Sequence, residues 1–573
     1  MVDIDDRWLI ARLRDLAIKE PDRQLYLELA DGENETGRLT AAELAARAAE
    51  VAARLADAGA HPGDRAIVFD GRIIETLAGY LGSLAAGVAP IVLPPPRRAD
   101  HIQSRLLPVV HDARPVALLA GTVATDADQA VLDQLAGHIP QTVQLGDVTG
   151  TGDVDALTDE ALHPLAFIQY TSGSTAAPRG VMVGHAQLQD NLEKACRVFD
   201  WQADGTTIVT WNPLSHDMGL IVGALPAVAF GTSVVIMPPE AFILRPGRWL
   251  RAITRYAGTH GAGPNFAYDL CIDRVKEADR EGLDLSSWRA AINGAEAVRE
   301  GTRQRFLDAY VPRGFRPDAW CPGYGLAEST VMVCASRPMQ PPKTTWIERS
   351  AQAEGRVVEV PAHTEGANAV VGCGTTIDGL ELAIVDPESG QRLGENEIGE
   401  LWLRGPSVTT GYFERPDETA ELFGGTLADG DGPWLRTGDV GFVSGGEIHP
   451  VGRAKDVLIV RGRNMHASDV ELAAAGAHPA IRKGCIIAFA TDTGEKEQIV
   501  VVAEVNGNPD HREVSKAVRE HVFTALEVAV DDVFLTTPRS VPKTTSGKLQ
   551  RSECRRLYNA GALPVPQDEP VST

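Results

Sequence analysis

In the first third of the chain, segments whose apolar residues have helical spacing alternate with segments typical of strands. Residues 39–58 place apolar side chains at helical spacing, and Thr40 with Glu43 three positions later matches a capping box at their start. The alternation continues as a strand, a helix and a strand: residues 63–69, 76–86 and 88–93. Residues 160–335 repeat this order. Strands that alternate with helices predict an α/β fold with helices on the faces of the sheets.

The pattern changes toward the C-terminus. Residues 375–450 hold short apolar runs separated by Gly and Pro turns, which predicts a small β-rich subdomain. A compact α+β alternation begins after Arg453, and the polar residues 341–368 resemble an inserted segment because they lack a sustained period. We therefore predict a large N-terminal domain (two α/β subdomains plus the β-rich one), a smaller mobile α+β domain and a disordered tail: residues 1–453, 454–563 and 564–573.

Composition and charge narrow the class of protein. The 573 residues include 54 Lys and Arg against 78 Asp and Glu, a formal charge of −24. An acidic surface repels phosphates, so we expect no nucleic-acid partner. The seven cysteines are scattered and never spaced C-x-x-C, which indicates neither a disulfide framework nor a zinc site. Because the N-terminus also lacks the apolar core of a signal peptide, we predict a cytoplasmic protein.

One uncharged stretch tests that prediction. Residues 218–239 carry no charge and are long enough to cross a bilayer. They also contain Gly219, Gly223 and Pro226, and they end in a β-branched run. We therefore predict a buried helix followed by a buried strand, with no membrane span.

Residues 170–180, YTSGSTAAPRG, place hydroxyls and glycines directly after an apolar stretch. Backbone N–H groups and hydroxyls in such a loop bind anionic oxygens, and Arg179 adds a charge suited to phosphate. The segment is not a Walker A loop, because no Gly-Lys-Ser/Thr ends it. A flexible polar turn is the plainer alternative. The segment alone predicts a phosphate-binding loop.

Four further segments carry groups suited to a nucleotide. The first, residues 292–296, could lay its backbone flat against a purine. The second, residues 323–328, offers Tyr324 for stacking and Glu328 as a hard oxygen ligand for Mg²⁺. Asp439 follows a glycine and suits the two ribose hydroxyls, while Lys548 lies in a flexible loop near the C-terminus. Each alone is an ordinary turn, helix cap or basic tail. In chain order the segments are residues 292–296, 323–328, 436–439 and 542–551.

Together these motifs resemble the acyl-adenylate-forming superfamily, which includes acyl-CoA synthetases, luciferases and the adenylation domains of peptide synthetases. The resemblance covers nearly the whole chain in the family's order. Within the superfamily the sequence is most similar to the fatty acyl-AMP ligases, and residues 341–368 lie where those ligases carry an insertion. The runs behind this finer assignment are residues 170–180, 213–220 (PLSHDMGL), 263–270 (GPNFAYDL), 324–328 (YGLAE), 452–456 (GRAKD) and 461–464 (RGRN).

The resemblance implies ATP-dependent activation of a fatty or related carboxylic acid to acyl-AMP, with release of pyrophosphate. The acyl group would then pass to the phosphopantetheine thiol of an acyl carrier protein, in lipid, polyketide or lipopeptide biosynthesis. The implied cofactors are ATP and Mg²⁺. The implied roles are Lys548 and His216 in catalysis, Glu328 as the Mg²⁺ ligand, Lys455 as the hinge of the small domain, and Met218, Asn265 and Phe266 at the acyl group. The implied ATP and AMP ligands are Thr171, Ser172, Gly173, Ser174, Thr175, Arg179, Gly294, Ala295, Tyr324, Gly325, Asp439 and Arg453.

Departures from the family pattern leave the substrate open. Ala176 and Arg179 replace the superfamily's common Gly and Lys, which agrees with the ligase subgroup, whereas Ser215 and residues 465–469 differ from that subgroup. Two other functions stay open: an acyl-CoA synthetase of the same fold, and a non-catalytic acyl-adenylate or lipid sensor. The chemistry-bearing residues that are kept argue against the sensor: Glu328, Asp439 and Lys548.

The acidic chain has a basic segment near its C-terminus. Residues 539–556 contain six basic side chains and one acidic one. Carrier proteins are typically acidic, so a uniformly acidic enzyme would repel them. This segment is therefore a candidate for steering a carrier protein toward the active site.

Overall fold

A computed structural model of the chain describes residues 8–69, 71–94, 102, 106–122, 125–157, 163–171, 178–460, 463–492, 497–507, 509–526, 528–544 and 547–566. Its first helices and strands, in chain order, are α1 (Trp8–Lys19), β1 (Gln24–Glu28), β2 (Gly37–Thr40), α2 (Ala41–Asp57), β3 (Arg65–Phe69), α3 (Ile73–Ala85), β4 (Ala89–Leu93), α4 (Leu107–Ala113), β5 (Ala117–Ala120), α5 (Asp126–Ala136) and β6 (Gln141–Gln144).

The capping box and the helix–strand order predicted for this first part are confirmed. Thr40 Oγ1 accepts the Glu43 N–H at 3.3 Å, and Glu43 Oε2 accepts the Thr40 N–H at 2.9 Å. Helix α2 starts two residues later than predicted because residues up to Thr40 pair with β1 as β2. Helices α2 and α3 approach closely at Gly82, where a Cβ would lie 2.5 Å from Val51. Strands β4-β3-β5-β6 form a parallel sheet in that order.

The middle of the chain builds the largest sheet. Its elements are β7 (Leu165–Thr171), β8 (Arg179–Gly184), α6 (His185–Phe199), β9 (Thr207–Thr210), a π-helix (Met218–Ala224), α7 (Pro226–Phe230), β10 (Ser233–Ile236), α8 (Pro239–Leu244), α9 (Gly247–Arg255), β11 (His260–Gly263), α10 (Asn265–Arg274), α11 (Glu277–Arg280), β12 (Ala290–Asn293), α12 (Glu300–Tyr310), β13 (Trp320–Tyr324) and β14 (Cys334–Ala335).

The uncharged stretch from Met218 is buried inside this part. It forms the π-helix, α7 and β10, and the whole π-helix is buried. The prediction of a buried helix followed by a buried strand is confirmed. None of the helices in the described ranges combines the length and apolar character needed to cross a membrane.

The remaining elements are β15 (Thr344–Glu348), α13 (Arg349–Ala353), β16 (Ala367–Val371), β17 (Thr375–Thr376), β18 (Glu381–Val385), β19 (Gly399–Arg404), α14 (Pro416–Phe423), β20 (Leu435–Ser444), β21 (Glu447–Arg453), β22 (Val457–Val460), β23 (Arg463–His466), α15 (Ala467–Ala475), β24 (Ile481–Asp492), β25 (Glu497–Val505), α16 (His511–Leu526), β26 (Asp532–Thr536) and α17 (Arg551–Asn559).

The sheets bring distant segments together. The large sheet runs in the order β17-β14-β13-β12-β11-β9-β10-β1-β2, parallel from β13 to β1 and antiparallel at both edges. The antiparallel sheet β18-β19-β20-β21 follows, and β24-β25-β26 packs against α15 and α16. Loops at the carboxyl ends of parallel strands are the usual place for a ligand site.

The polar segment 341–368 is more regular than its sequence predicts. Strand β15 pairs antiparallel with β16, and α13 lies between them. The Val-rich run at 357–360 forms an isolated bridge rather than a strand, pairing Glu359 with Ile347, and Arg356 just before it pairs with Glu397. Backbone pairing between the two ends of the segment, with bridges to Glu359 and Glu397, fixes its conformation, and a local period in the sequence does not predict such pairing.

Candidate active site

A cleft of about 2840 Å³ lies between the N-terminal part of the chain and the C-terminal region, residues 454–566. Its wall includes the ends of β7, β12 and β13, the β20–β21 pair and the loop before α17. Described site residues from the sequence analysis that line the cleft are Thr171, Arg179, His216, Met218, Gly294, Ala295, Tyr324, Gly325, Glu328, Asp439, Arg453, Lys455 and Lys548.

Asp439 is the centre of one polar cluster in the cleft. The antiparallel register of β20 and β21 places it opposite Arg453, whose Nε lies 3.1 Å from Asp439 Oδ1. The Tyr324 hydroxyl donates to Asp439 Oδ2 at 2.8 Å. Burial, together with the Asp439 charge, raises the pKa of Tyr324 well above its usual value, so the hydroxyl stays a donor. Asp439 thus presents a buried carboxylate to the cleft, with one oxygen held by Arg453 and the other by Tyr324.

Glycines at the ends of β12 and β13 allow two backbones to meet. A Cβ on Gly294 would lie 2.8 Å from the Gly323 oxygen, and one on Gly325 would lie 1.7 Å from the Val331 oxygen. Ala295 adopts a left-handed φ of 67°. These close approaches lie in the cleft wall together with Tyr324, and the role of Gly294, Ala295 and Tyr324 at an adenine ring stays a prediction.

The hairpin β7–β8 leads into the predicted phosphate loop. Thr171 and Arg179 face each other as the last pair of its register. The predicted ligands between them lie outside the described residues: Ser172, Gly173, Ser174 and Thr175. Arg179 Nε lies 2.6 Å from Glu418 Oε2.

Glu328 lies in the cleft and accepts a hydrogen bond at Oε1 from the Tyr412 hydroxyl, at 2.6 Å. Within the described part of the chain, no group of three His, Cys, Asp or Glu side chains is placed to hold a metal. Mg²⁺ is commonly bound by one or two carboxylates together with phosphate oxygens, and the single carboxylate of Glu328 fits that role. Tyr412 and Glu418 are not among the residues predicted from the sequence, since no local motif marks either of them.

His216 and Asp217 form a second polar pair. His216 Nδ1 lies 2.6 Å from Asp217 Oδ1, and the same oxygen accepts the Met218 N–H at 2.7 Å. Gln169 donates to the Ser215 oxygen at 2.7 Å and so ties this loop to β7. Burial opposes the charge of Asp217, but His216 and Lys548 keep the pKa of Asp217 below its usual value.

Lys548 lies on a tight loop of the C-terminal region. The Thr544 N–H donates to the Lys548 oxygen at 2.8 Å, and the Lys548 N–H donates to Thr544 Oγ1 at 3.0 Å. Burial lowers the pKa of Lys548, Arg453 adds to that effect, and Asp217 opposes it. The ammonium therefore lies within electrostatic reach of both polar pairs of the cleft.

The three residues implied for the acyl group lie in different places. Met218 lines the cleft. Asn265 is buried, and its amide donates to the Ala297 oxygen at 2.8 Å and accepts the Arg299 N–H at 3.1 Å. Phe266 packs against the Lys548 loop, where a Cβ on Gly547 would lie 2.8 Å from its ring. Asn265 thus holds the loop that follows Gly294 and Ala295, and Phe266 supports the loop that carries Lys548.

Lys455 lies in the 3₁₀ turn Ala454–Asp456, which joins β21 to β22. Burial lowers its pKa, and Arg453 adds to the effect. The turn is tied to the C-terminal region through Asp456, which pairs with Arg551 at 2.8 Å. The structure therefore places Lys455 at the junction between the two parts of the chain.

Comparisons with known proteins identify the family of the chain. The family model of AMP-binding enzymes matches residues 14–413, and that of the Disco-interacting protein 2-like AMP domain matches residues 455–568. The medium-chain-fatty-acid–[acyl-carrier-protein] ligase JamA of Moorena producens is 36% identical over 557 residues, covering 94% of this chain and 93% of JamA. The long-chain-fatty-acid–AMP ligase FadD23 of Mycobacterium tuberculosis is 34% identical over 513 residues, 87% of this chain and 86% of FadD23.

The crystal structure of fatty acid AMP ligase from Legionella pneumophila matches with a TM-score of 0.74 at 32% identity, covering 98% of this chain and 97% of that one. The chain therefore belongs to the family of AMP-binding, adenylate-forming enzymes. The predicted α/β fold, the ligase class and the family resemblance are confirmed.

Proposed function

We propose that the protein joins a fatty or related carboxylic acid to AMP and then transfers the acyl group to the phosphopantetheine thiol of an acyl carrier protein. The observation that carries the proposal is the position of Lys548. Its loop places one ammonium group in the cleft that the Asp439–Arg453 pair and Asp217 also line, and the charges of these groups act on it. A cation there suits a reaction in which two anions must meet.

In the first step, Asp439 holds the ribose, and Thr171 and Arg179 hold the terminal phosphates. The acid places its carboxylate near His216, and one carboxylate oxygen attacks the α-phosphorus while the bond to pyrophosphate breaks. Lys548 reduces the repulsion between carboxylate and phosphate, and the rest is positioning. Mg²⁺, when bound at Glu328, neutralises phosphate charge.

In the second step, the carrier thiol attacks the acyl carbon, the bond to AMP breaks, and the thiol proton passes to water. The lid in this proposal is the C-terminal region, which turns about Lys455 to admit the thiol. The segment 341–368 touches that lid through Arg349, 3.5 Å from Asp469. All seven cysteines are unpaired, which fits a reducing cytoplasm.

A panel of acids assayed by pyrophosphate release tests both steps. We expect release with fatty acids, and faster acylation of a phosphopantetheinylated carrier protein than of CoA when the two acceptors compete. The resemblance of JamA to this chain supports the carrier protein as acceptor. Faster acylation of CoA would make the protein an acyl-CoA synthetase. Binding of acyl-adenylate without turnover of any acid would make it a sensor.

The structure sharpens the prediction about the basic segment 539–556. Arg551 forms ion pairs with Asp456 and Glu471, and Arg556 pairs with Glu553. Arg555 is exposed on the same helix, α17. Both arginines lie exposed in the middle of α17, where Arg556 shares its charge with Glu553 and Arg555 contributes a charge that a partner can meet.

We expect that reversing both residues, Arg555→Glu with Arg556→Glu, will slow carrier acylation about tenfold at low salt, because electrostatic steering acts on the encounter rate. Acyl-AMP formation should keep its rate. The control is Arg512→Glu with Lys516→Glu on α16, which changes the net charge equally on a helix whose described residues do not line the cleft. Equal loss in both steps, or none in either, would refute the steering role.

A further inference from the structure

Residues 407–423, here called the strap, contact the two segments that carry Arg179 and Glu328, the residues predicted for the phosphate end of the ATP site. The Phe413 N–H donates to the Gly180 oxygen at 2.8 Å, next to Arg179 on β8. The Thr409 N–H and hydroxyl both donate to the main-chain carbonyl oxygen of Glu328, at 2.9 and 3.1 Å. These hydrogen bonds fix the strap to β8, which carries Arg179, and to the segment that carries Glu328.

Tyr412 lies between these two groups. Its hydroxyl donates to Glu328 Oε1 at 2.6 Å, and the Arg179 guanidinium lies over its ring, 5.5 Å from the ring centre. The Tyr412 N–H donates to Thr419 Oγ1 at 3.0 Å, which anchors the residue to α14. The hydroxyl of Tyr412 is thus held on the carboxylate while its backbone is held by α14.

Glu418, on α14, holds the other side of the arginine. Its Oε2 lies 2.6 Å from Arg179 Nε, and Arg415 lies 3.8 Å from its Oε1. Arg415 also pairs with Asp112, which accepts the Tyr170 hydroxyl at 2.7 Å. The ion pair of Glu418 with Arg179 is therefore part of a network that returns to β7, the strand before the predicted phosphate loop.

We propose that Tyr412 and Glu418 are positioning residues for the phosphate end of the ATP site, Tyr412 holding the Glu328 carboxylate and Glu418 holding the Arg179 guanidinium. The proposal rests on the proposed function. Tyr412 occupies one oxygen of Glu328 and so fixes the orientation of the carboxylate before a cation binds. Glu418 forms a close ion pair with Nε of Arg179 and so holds the guanidinium beside α14 before phosphate arrives.

The two roles separate in a binding experiment with α,β-methylene-ATP, measured by calorimetry with and without Mg²⁺. Tyr412→Phe keeps the ring under Arg179 and removes the hydroxyl. We expect its affinity for the analogue to fall roughly tenfold in Mg²⁺, as is common when a partner of a metal ligand is lost. Without Mg²⁺ the affinity should equal that of the wild type. The control is Tyr256→Phe, which removes a hydroxyl that donates to Glu35 at 3.0 Å on the surface.

Glu418→Gln keeps the shape of the side chain and removes its charge. We expect weaker binding of the analogue by about tenfold both with and without Mg²⁺, since the oriented arginine acts on the phosphates themselves. Glu418→Asp retains the charge and should recover part of the affinity. The control is Glu421→Gln, an exposed residue of the same helix. Unchanged thermal midpoints would show that each variant folds.

Three results would overturn these assignments: equal losses with and without Mg²⁺ in Tyr412→Phe, a Glu418→Gln variant that binds like its control, or no recovery in Glu418→Asp. Failure of the proposed function looks different. Wild-type protein that binds the analogue but forms no acyl-AMP from any acid would refute that function and leave the positioning roles standing. Wild-type protein that does not bind the analogue at all would refute both.

Discussion

Lys548→Ala should slow acyl-AMP formation by about 10²- to 10³-fold, the usual effect of removing one preorganised group that stabilises developing charge. The lysine is partly buried, and two hydrogen bonds with Thr544 close its loop, so the loop holds the charge in position before the reaction. ATP–pyrophosphate exchange with a saturating fatty acid measures the loss. Transfer of the acyl group from supplied acyl-AMP to the carrier should be nearly unaffected, because the two anions have already been joined.

The matched control is Lys543→Ala, which removes a lysine from the start of the same loop. Lys543 contacts Cys485 Sγ at 3.4 Å and pairs with Leu549, so its loss tests whether any change in the loop is enough. We expect exchange in this variant to stay within a few-fold of the wild type. If exchange survives in Lys548→Ala, or falls equally in both variants, the catalytic assignment of Lys548 is wrong.

The lowered pKa of Lys548 gives the same experiment a pH signature. Burial disfavours the charged form, so the ammonium loses its proton at a lower pH than an exposed lysine does. The kcat/KM for ATP reports groups of the free enzyme. We therefore expect it to decline as the pH rises through this lowered pKa, and the decline should be absent in Lys548→Ala.

The sequence predicted those parts of the site that are chemically local. Asp439 and Lys548 stand in short motifs, and the glycines at 294 and 325 mark close backbone approaches that no side chain would allow. The helical period and the Thr40 cap located α2 to within two residues. The contacts that the sequence did not predict join residues that lie far apart along the chain. Tyr412 and Glu328 are 84 residues apart, and only the folded strap brings them together.

Asn265 shows why a motif alone leaves the role of a residue open. Its position in a family motif predicted contact with the acyl group, yet its amide is engaged by the backbone of residues 297 and 299. A motif records that a residue type matters at a position, and it does not distinguish contact with a ligand from support of a loop. The role of Asn265 at the acyl group stays a prediction, and its observed contacts favour a supporting one.

Asp439→Asn is expected to lower kcat/KM for ATP by about 10²-fold. The carboxylate accepts from Tyr324 and pairs with Arg453, and charge-assisted hydrogen bonds to such a group contribute roughly 1.5–3 kcal/mol each. An amide keeps the size of the side chain but removes the charge that Arg453 faces and replaces one acceptor with a donor. The control is Asp431→Asn, since Asp431 also pairs with an arginine, Arg404 at 2.8 Å, away from the cleft lining.

A comparison of ATP with 2′,3′-dideoxy-ATP separates a ribose ligand from a structural carboxylate. If Asp439 binds the ribose hydroxyls, the wild type prefers ATP strongly, and Asp439→Asn loses most of that preference because the lost contact is the one that reads the hydroxyls. If Asp439 merely holds Tyr324 and Arg453 in place, both nucleotides weaken by the same factor and the preference survives. That second outcome would remove Asp439 from the ATP ligands and leave it as the group that orients Arg453 toward the phosphates.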